Sequence, residues 1–341
     1  MPRLGMTLEE IRDLIGSGEI IGAADFRCES VASLNQAGAD QLSFIKDERY
    51  VDQARASKAG ALLVPHPMDE LDTNQLVVSD PYRCFGLLLG RISEQSQRQP
   101  RGVHPQAVVH ESARLGQDVT IGAGAVIREE TVIGDRSVLY ANVYLGQRSV
   151  VGAENVIYPG VVIREDTTIG DRVVIHGGSV IGADGYGFVQ HEGRHIKVPQ
   201  VGGILIGDDV EIGALTTIDR ATLDRTIIGC GTKVGDQCHI AHNCKIGENV
   251  LLLPMVAVSG SVTVGDGAVL AGRSGTADNL RIGAGAVLGG TAVAFKDVPD
   301  GATMWGNPAR EKGTELRIQA ALGRLPEMQR DLRKIKKKLD L

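Results

Sequence analysis

The chain has 341 residues, of which 44 are glycine and only 4% are aromatic, although 43% are hydrophobic. So few large rings disfavour an ordinary globular core and indicate a repeat architecture filled with Val, Ile, Leu and Ala. The formal net charge of −6 disfavours general binding to nucleic acid, and because 18 apolar residues never run together, we predict no membrane span.

The cysteines and the N-terminus indicate a cytoplasmic protein. Five cysteines are an odd number without CxxC spacing, which is typical of reduced thiols rather than of a disulfide framework or a metal site. The opening segment carries acidic residues and lacks the apolar stretch of a signal peptide. We therefore expect a cytoplasmic localisation.

Residues 1–101 are predicted to form a small α/β domain. Thr7 is a suitable N-cap for a helix whose apolar residues recur at helical spacing from Leu8 to Ile15. Short apolar runs at 61–64 and 76–78 indicate buried strands, and the polar stretch 93–102 indicates a linker.

A six-residue period of aliphatic residues runs through the middle of the chain. This period fits neither an α-helix nor an amphipathic strand. It is typical of a parallel β-helix, in which each hexapeptide forms a strand and a corner, and three hexapeptides make one coil. The first uninterrupted series is Val103, Val109, Leu115, Ile121, Ile127, Ile133, Leu139, Leu145, Val151, Ile157, Ile163, Ile169, Ile175 and Ile181.

The period is interrupted at 182–203, which predicts a loop extruded from one corner of the β-helix. The period resumes at Ile206, slips by four residues between Ile218 and Ile228, and then continues to Leu288. Thr276 is the one polar residue at an inward position of this series. We therefore predict a hexapeptide-repeat β-helix over 102–309 with about nine coils.

Residues 310–341 are predicted to form basic C-terminal helices. This segment has a net charge of +5, and its apolar residues alternate by three and four, as in a coiled coil. Gly323 and Pro326 indicate a break between two helices. The charge indicates either an acidic partner or a solvated helical face.

His242, in the segment CHIAHNCKIG (238–247), is the candidate catalytic residue. It follows the inward Ile240 by two positions, so its imidazole should leave the corner, and histidine is the natural general base at neutral pH. The alternative is an exposed corner histidine without a role. A zinc site formed with His176 and His239 is disfavoured, because His239 and His242 lie three apart on one hexapeptide and should point in different directions. We therefore predict no metal.

Several motifs together resemble the UDP-3-O-(3-hydroxyacyl)glucosamine N-acyltransferase family of lipid A biosynthesis. The loop ADGYGF…KVPQVGG, the block VEIGALTTIDRATLDRT and the segment IAHNCKIG carry the resemblance within the hexapeptide array. The run LSFIKDERY at 42–50 extends it to the family's uridine-binding domain. The segment CHIAHNCKIG also resembles the O-acyltransferase that acts on UDP-N-acetylglucosamine, but that family lacks the N-terminal domain.

The resemblance implies a homotrimer of left-handed β-helices with active sites between neighbouring subunits. His242 matches the family's general base, which accepts a proton from the glucosamine 2-amine as the nitrogen attacks the thioester of a 3-hydroxyacyl carrier protein. Backbone N–H groups near a Gly-rich corner would stabilise the oxyanion. No cofactor is implied, because the donor is an activated phosphopantetheine thioester. The basic C-terminal helices would bind the acidic acyl carrier protein.

The resemblance also implies a nucleotide site in the N-terminal domain. Phe44 and Tyr50 match the aromatic pair that sandwiches uracil, and Asp47 stands where the family often has an asparagine that bonds the base edge. Two rings beside the polar Lys46 and Asp47 suit a flat base. The alternative is that the two rings belong to a small core.

The sequence departs from the family near the candidate catalytic residue. Asn279 stands where the family usually has a second histidine; it still donates a hydrogen bond to sugar or oxyanion but gains no charge. Val234, Gly235 and Asp236 stand where the family often has IDN, so an orienting carboxylate would come from Asp236 in a shifted position or be absent. Two alternatives therefore stay open: a hexapeptide O-acyl- or acetyltransferase acting on another nucleotide sugar, and a non-catalytic nucleotide-sugar-binding protein.

Overall fold

The computed structural model of the chain describes residues 3–96, 101–306 and 312–339. The chain divides between residues 100 and 101 into two compact units. Part of the predicted linker continues the last helix of the first unit, whereas 97–100 and the predicted end of the β-helix at 309 lie outside the described residues. Among the described helices, none is long and apolar enough to span a bilayer.

The first unit has the α/β composition that the sequence predicts. Its elements are β1 (Arg3–Thr7), α1 (Leu8–Ile15), β2 (Glu19–Ile21), β3 (Arg27–Val31), β4 (Gln41–Phe44), a 3₁₀ helix (Glu48–Tyr50), α2 (Val51–Ala56), β5 (Ala61–Val64), β6 (Asn74–Val77) and α3 (Pro81–Ser96). The strands form one sheet in the order β1-β3-β4-β5-β6-β2. Strands β3 to β6 are mutually parallel, and the two edge strands are antiparallel to their neighbours.

Helix α1 begins where the sequence predicts. The Thr7 hydroxyl accepts a hydrogen bond from the Glu10 N–H (3.2 Å), and the Glu10 carboxylate accepts one from the Thr7 N–H (2.8 Å), a reciprocal capping box. Gly16 ends the helix at φ 83°, a left-handed conformation that glycine adopts without strain. Leu8 and Ile11 are fully buried, so they attach the helix to the sheet.

The parallel strands are covered on both faces, which explains the continuous apolar run of β5. All four of its residues are buried. Leu63 belongs to the apolar core that contains Leu8 of α1 and Leu88 of α3, whereas Leu62 belongs to a second core with Ile45. Strands buried on both faces need apolar residues at every position rather than at alternate positions.

The second unit contains the predicted parallel β-solenoid. Its strands form three parallel sheets of 11, 10 and 9 strands, which gives about ten coils instead of the predicted nine. The first sheet contains Gly102–Val103, Thr120–Ile121, Val138–Leu139, Val156–Ile157, Val174–Ile175, Glu211–Ile212, Lys233–Val234, Leu251–Leu252, Val269–Leu270, Val287–Leu288 and Thr303–Met304. The second contains Val108–Val109, Val126–Ile127, Tyr144–Leu145, Val162–Ile163, Val180–Asp184, Thr217–Arg220, His239–Ile240, Ala257–Val258, Gly275–Thr276 and Val293–Ala294. The third contains Arg114–Leu115, Val132–Ile133, Val150–Val151, Thr167–Ile169, Gly203–Ile206, Arg225–Ile228, Lys245–Ile246, Thr263–Val264 and Arg281–Ile282.

The six-residue period describes the interior of the solenoid. The inward residues Ile157, Ile175 and Ile240 are fully buried and belong to one continuous aliphatic core. Except across the hairpin and the four-residue slip, successive coils pair in register at an 18-residue spacing, so aliphatic side chains stack along the inside. The left-handed coiling of the solenoid, which the resemblance implies, stays a prediction.

Buried polar side chains such as Thr276 and Asn155 form hydrogen bonds between the coils. Thr276, the polar residue at an inward position, accepts a hydrogen bond at its hydroxyl from the Ser259 N–H (3.1 Å), and the Ser259 hydroxyl donates to the Thr276 carbonyl (2.6 Å). Asn155 donates to the Gly170 carbonyl (2.9 Å) and accepts from the Val173 N–H (2.7 Å). These bonds offset the cost of burying polar groups and fix the stacking of coils.

The predicted extruded loop at 182–203 is an antiparallel hairpin. Its strands Phe188–His191 and Arg194–Lys197 are exposed throughout. At its base the strands Val180–Asp184 and Thr217–Arg220 continue beyond the usual two residues and pair with one another. The interruption of the hexapeptide period therefore lengthens two strands as well as inserting a loop.

The prediction of two C-terminal helices is wrong, because a single helix, α4 (Lys312–Lys338), runs through Pro326. Proline removes one main-chain hydrogen bond, and glycine at 323 costs about 1 kcal/mol. The flanking residues are mostly Leu, Arg, Lys, Gln and Glu, which are strong helix formers, so the helix continues past both. Its side chains from residue 319 to 339 are exposed.

Candidate active site

His242 lies at a corner of the solenoid, directly after the strand His239–Ile240, and is partly buried. Its imidazole lines a cavity of about 350 Å³, which Asn279 also lines. The side chain therefore leaves the interior, as the hexapeptide pattern predicts. The lining residues are Tyr186, His239, Ala241, His242, Ala257, Val258, Ser259, Gly260, Ser261, Asp278 and Asn279.

The imidazole of His242 is oriented by its neighbour Asn243. Nδ1 lies 3.1 Å from the Asn243 side-chain oxygen. That amide is itself held, because its oxygen accepts from the Thr222 N–H (3.0 Å) and its nitrogen donates to the Leu223 carbonyl (3.0 Å). An amide oxygen only accepts hydrogen bonds, so the neutral ring carries its proton on Nδ1 and leaves the lone pair on Nε2.

Two glycines border the His242 ring closely. A Cβ at residue 185 would lie 2.5 Å from His242 Cβ and 2.8 Å from Cγ, and a Cβ at residue 260 would lie 2.8 Å from Nε2. Any larger residue at either position would displace the ring. Gly185 belongs to the ADGYGF loop and Gly260 to a later coil, so both sides of the imidazole are confined by backbone.

Asp219 is a buried carboxylate beside the cavity that the sequence analysis did not single out. It is 5% exposed, and its Oδ2 lies 3.6 Å from His239 Nε2. His239 Nδ1 lies 2.8 Å from the Thr217 hydroxyl. Burial raises the pKa of Asp219, and the nearby imidazoles of His239 and His242 act in the opposite direction. The lengthened strand TIDR, where the hexapeptide period slips, was the available signal.

An ion pair between the buried Arg220 and the partly exposed Glu165 holds the strand that carries Asp219. Arg220 is 4% exposed and donates to the Glu165 carboxylate (2.6 Å) and carbonyl (2.7 Å). Glu165 also accepts from Arg164 (2.8 Å). The hydrogen bond from Arg164, together with the charge of Arg220, lowers the pKa of Glu165 to about 2.

The other sequence candidates near this site lie elsewhere or are otherwise engaged. Asp236 lies in a separate cavity, where its carboxylate accepts from the Ala214 N–H (2.7 Å) and stabilises a corner. His176 lines that same cavity and stacks on Tyr158, with centroids 5.0 Å apart. Within the described ranges, no three metal-binding side chains come together.

His239 and His242, which the sequence analysis expects to point in different directions, both line the one cavity. His239 precedes the inward Ile240 and so faces outward from its strand, while His242 leaves the adjoining corner. The corner bends the chain between them, so the two outward side chains approach the same space from different sides.

A second cavity, of about 330 Å³, lies in the first unit at the carboxyl ends of β3 and β4. Carboxyl ends of parallel strands are the usual ligand-binding edge of such sheets. Phe44 and Tyr50 both line it, together with Tyr82, whose ring centroid is 5.6 Å from that of Phe44. Lys46 lies 5.3 Å from the centre of the Tyr82 ring. Tyr82 therefore adds a third ring that the sequence analysis missed.

Asp47 does not line this cavity in the structure. Its carboxylate accepts from the Arg49 guanidinium (2.9 and 2.7 Å) and from the Arg49 N–H (3.1 Å), which lowers the pKa of Asp47. The polar side chains that do line it include Asn35, Gln53 and Ser43. Within the described part of the chain, the buried Ser43 hydroxyl has no hydrogen-bond partner.

Two protein families match this chain, one within the first unit and the other within the solenoid. A family described as UDP-3-O-(3-hydroxymyristoyl) glucosamine N-acyltransferase, LpxD, matches residues 25–90. The family of bacterial transferase hexapeptides (six repeats) matches 112–147, 148–183 and 225–260.

Proteins named UDP-3-O-acylglucosamine N-acyltransferase are similar over nearly the whole chain. The one from Nitratidesulfovibrio vulgaris is 46% identical over 332 residues, which are 97% of this chain and 96% of that protein. The one from Syntrophus aciditrophicus is 42% identical over 336 residues, 98% of this chain and 92% of that protein. Among solved structures, the Arabidopsis UDP-N-acetylglucosamine acyltransferase is similar with a TM-score of 0.55 and 29% identity, covering 60% of this chain and 71% of that one. The chain therefore belongs to the UDP-3-O-acylglucosamine N-acyltransferase family.

Proposed function

We propose that this chain transfers a 3-hydroxyacyl group from the phosphopantetheine thioester of an acyl carrier protein to the 2-amine of UDP-3-O-acylglucosamine, with His242 as general base. The observation that carries the proposal is the orientation of His242. Asn243 holds its Nδ1 (3.1 Å), so Nε2 is the nitrogen available to accept a proton at the cavity.

The chemistry follows from that orientation. The amine nitrogen attacks the thioester carbonyl carbon, its proton passes to His242 Nε2, and a tetrahedral oxyanion forms. Collapse of the intermediate completes the C–N amide bond and breaks the C–S bond. The imidazolium then returns its proton to the leaving sulfur, which restores the neutral base. The acyl group is already activated as a thioester, so the proposal needs no metal or cofactor.

The backbone at Gly260 is suited to stabilise the oxyanion. This glycine approaches the reacting nitrogen of His242 so closely that a Cβ there would lie 2.8 Å from it. A backbone N–H at such a position interacts with charge that develops in the transition state and needs no reorganisation. Asn279, in the same cavity, offers a further hydrogen-bond donor to the sugar or the oxyanion.

The cavity in the first unit is suited to the uracil of the UDP-sugar. Phe44 packs against Phe85, with centroids 4.6 Å apart, so its ring has a fixed position, and Tyr50 is more exposed at 36%. A flat base fits beside such rings, and the Asn35 and Gln53 amides and the Ser43 hydroxyl are available for its polar edge.

Exposed basic side chains of helix α4 support an acyl carrier protein as the donor, and its exposed apolar side chains support a homotrimer. Acyl carrier proteins are acidic, and the exposed surface of α4 includes Lys336, Lys337 and Lys338 in its last turn. Apolar side chains at spacings of three and four are at least half exposed along the same helix, which favours association with other copies. They are Leu325, Met328, Leu332, Ile335 and Leu339, at 50–63% exposure.

Mass spectrometry of reaction products tests the proposal. UDP-3-O-acylglucosamine is offered together with a mixture of 3-hydroxyacyl carrier proteins, and parallel reactions use UDP-N-acetylglucosamine as acceptor or acetyl-CoA as donor. We expect an N-acylated product in the first reaction alone, and its loss on His242→Ala. An O-acyl product or an acetylated product would support another transferase. Nucleotide-sugar binding without any acyl transfer would indicate a non-catalytic protein.

A further inference from the structure

Asp219 is a buried carboxylate that the proposed chemistry leaves without a role. The strands Thr217–Arg220 and His239–Ile240 are paired in parallel, with Ile218 beside Ile240, so Asp219 lies beside the corner that leads to His242. It is 5% exposed, and no basic side chain other than a histidine pairs with it among the ion pairs of the described residues. A carboxylate buried in this way is costly unless positive charge is available nearby.

Among the described residues, the charged groups that act on Asp219 are His239, His242 and Asp184. His239 is 3.6 Å away at Nε2 and is held by Thr217 at Nδ1 (2.8 Å). Across the paired strand Val180–Asp184, the carboxylate of Asp184 is ion-paired with Lys197 of the hairpin. Asp278 lines the cavity that His239 and His242 share. The two imidazoles are therefore the groups that can supply positive charge to Asp219.

We propose that Asp219 is a positioning residue for His242: its carboxylate stabilises the imidazolium that forms when His242 takes the amine proton, and His239 partly neutralises that carboxylate. This inference rests on the proposed function. The proton moves only from the amine nitrogen to His242 Nε2 and then to the leaving sulfur. Asp219 stays ionised throughout, as a carboxylate beside a catalytic imidazole does.

The same observations decide against Asp236 as the orienting carboxylate. Asp236 accepts a backbone hydrogen bond from Ala214 (2.7 Å) in a different cavity. Its function is to stabilise a corner, and the carboxylate near the base comes from an earlier coil at Asp219. Asp236→Asn, which keeps the accepting oxygen, is therefore a matched control.

The pH profile of kcat/KM tests the proposal, with UDP-3-O-acylglucosamine and a 3-hydroxyacyl carrier protein as substrates. In Asp219→Asn the imidazolium loses its stabilising charge, so the acid limb moves to lower pH by about one pH unit, the low end for one nearby opposite charge. The plateau kcat falls roughly tenfold. In His239→Gln the carboxylate is no longer neutralised, so the acid limb moves to higher pH. Asp236→Asn leaves the profile unchanged.

An NMR titration of the histidine ring signals gives a readout that does not need turnover. The His242 signal is assigned with His242→Ala, and its titration midpoint falls in Asp219→Asn and rises in His239→Gln. Equal losses of activity at every pH, with an unmoved His242 midpoint in both variants, would overturn the role of Asp219. If Asp219→Asn does not fold, His239→Gln alone decides by the same criterion. Full activity of His242→Ala would instead reject the general base of the proposed function.

Discussion

Gly260 and the imidazole of His242 are in such close contact that a Cβ on the glycine would stand 2.8 Å from Nε2. Nε2 is the nitrogen to which we assign the proton transfer. The absence of a side chain at residue 260 is therefore a condition for the position of the base.

Gly260→Ala is expected to lower kcat about 100-fold with little change in thermal stability, because a displacement of the base by roughly 1 Å has that effect on rate. Gly290→Ala is the matched control: it also follows an inward residue by two positions, and its nearest atom would be 3.6 Å from the new Cβ. Steady-state kinetics of both variants provide the measurement. Equal activity of the two would show that the contact at residue 260 has no catalytic consequence.

Tyr50→Ala is expected to raise the KM for the UDP-sugar roughly tenfold and to leave kcat nearly unchanged, because stacking on a base contributes about 1–3 kcal/mol. Tyr50 is 36% exposed, so its removal should cost little stability. Asp47→Asn is the informative comparison. Its carboxylate is bound to Arg49, so we expect no more than a small change in KM. A larger effect at Asp47 than at Tyr50 would contradict the arrangement of this cavity.

Charge reversal on α4 is expected to weaken the use of the carrier protein. Changing Lys336, Lys337 and Lys338 together to Glu should raise the KM for the acyl carrier protein about tenfold at low salt, and added salt should reduce the difference between variant and wild type. An acyl phosphopantetheine thioester without the protein serves as control donor, and its KM should not change. If both donors are affected alike, or if salt has no influence, the helix is not the docking surface.

The ion pair between Glu165 and Arg220, the residue after Asp219, predicts that the stability of the fold depends on pH. Hydrogen bonding from Arg164 and the charge of Arg220 lower the pKa of Glu165 from its ordinary value to about 2. A lowered carboxyl pKa stabilises the fold at pH values above the pKa of the unfolded chain. This contribution is at most about 3 kcal/mol, because Glu165 is partly exposed to solvent, and it is lost as the pH falls from about 4.5 towards 2.

Glu165→Gln is therefore expected to lower the melting temperature at pH 7 and to flatten the loss of stability below pH ~4.5. It also removes the nearer counter-charge of Arg220, which is 4% exposed, so that Asp166 at 3.8 Å is left as its carboxylate partner. Glu154→Gln, which removes an exposed partner of Arg136, should have almost no effect. Calorimetric scans from pH 2 to 7 on the three proteins give the comparison, and parallel curves for wild type and Glu165→Gln would count against a stabilising role for Glu165.

Local sequence patterns predicted an element of this chain correctly where a single physical rule, such as helix capping or a repeat period, determined it. The capping residue Thr7 and the inward series through Ile157 and Ile240 are confirmed, because helix caps and repeat periods depend on residues close in sequence. The break expected at Pro326 is wrong, since strong helix formers on both sides outweigh a local breaker. The resemblance gave Asp47 a role in base recognition, and no local pattern showed that Arg49 binds its carboxylate.

The amino-acid sequence by itself determined that the chain forms a stacked solenoid with an α/β domain before it, and that His242 lies outside the aliphatic interior. The spacing of the apolar residues determines these features, because it predicts which side chains are buried away from water. Only the tertiary structure decided that Asp219 lies beside His239, that Gly260 borders His242, and that Asp236 belongs to another cavity. Each of these contacts joins residues of different coils. The contact between Asp219 and His239 also depends on how the chain resumes its register after the hairpin, which no local pattern specifies.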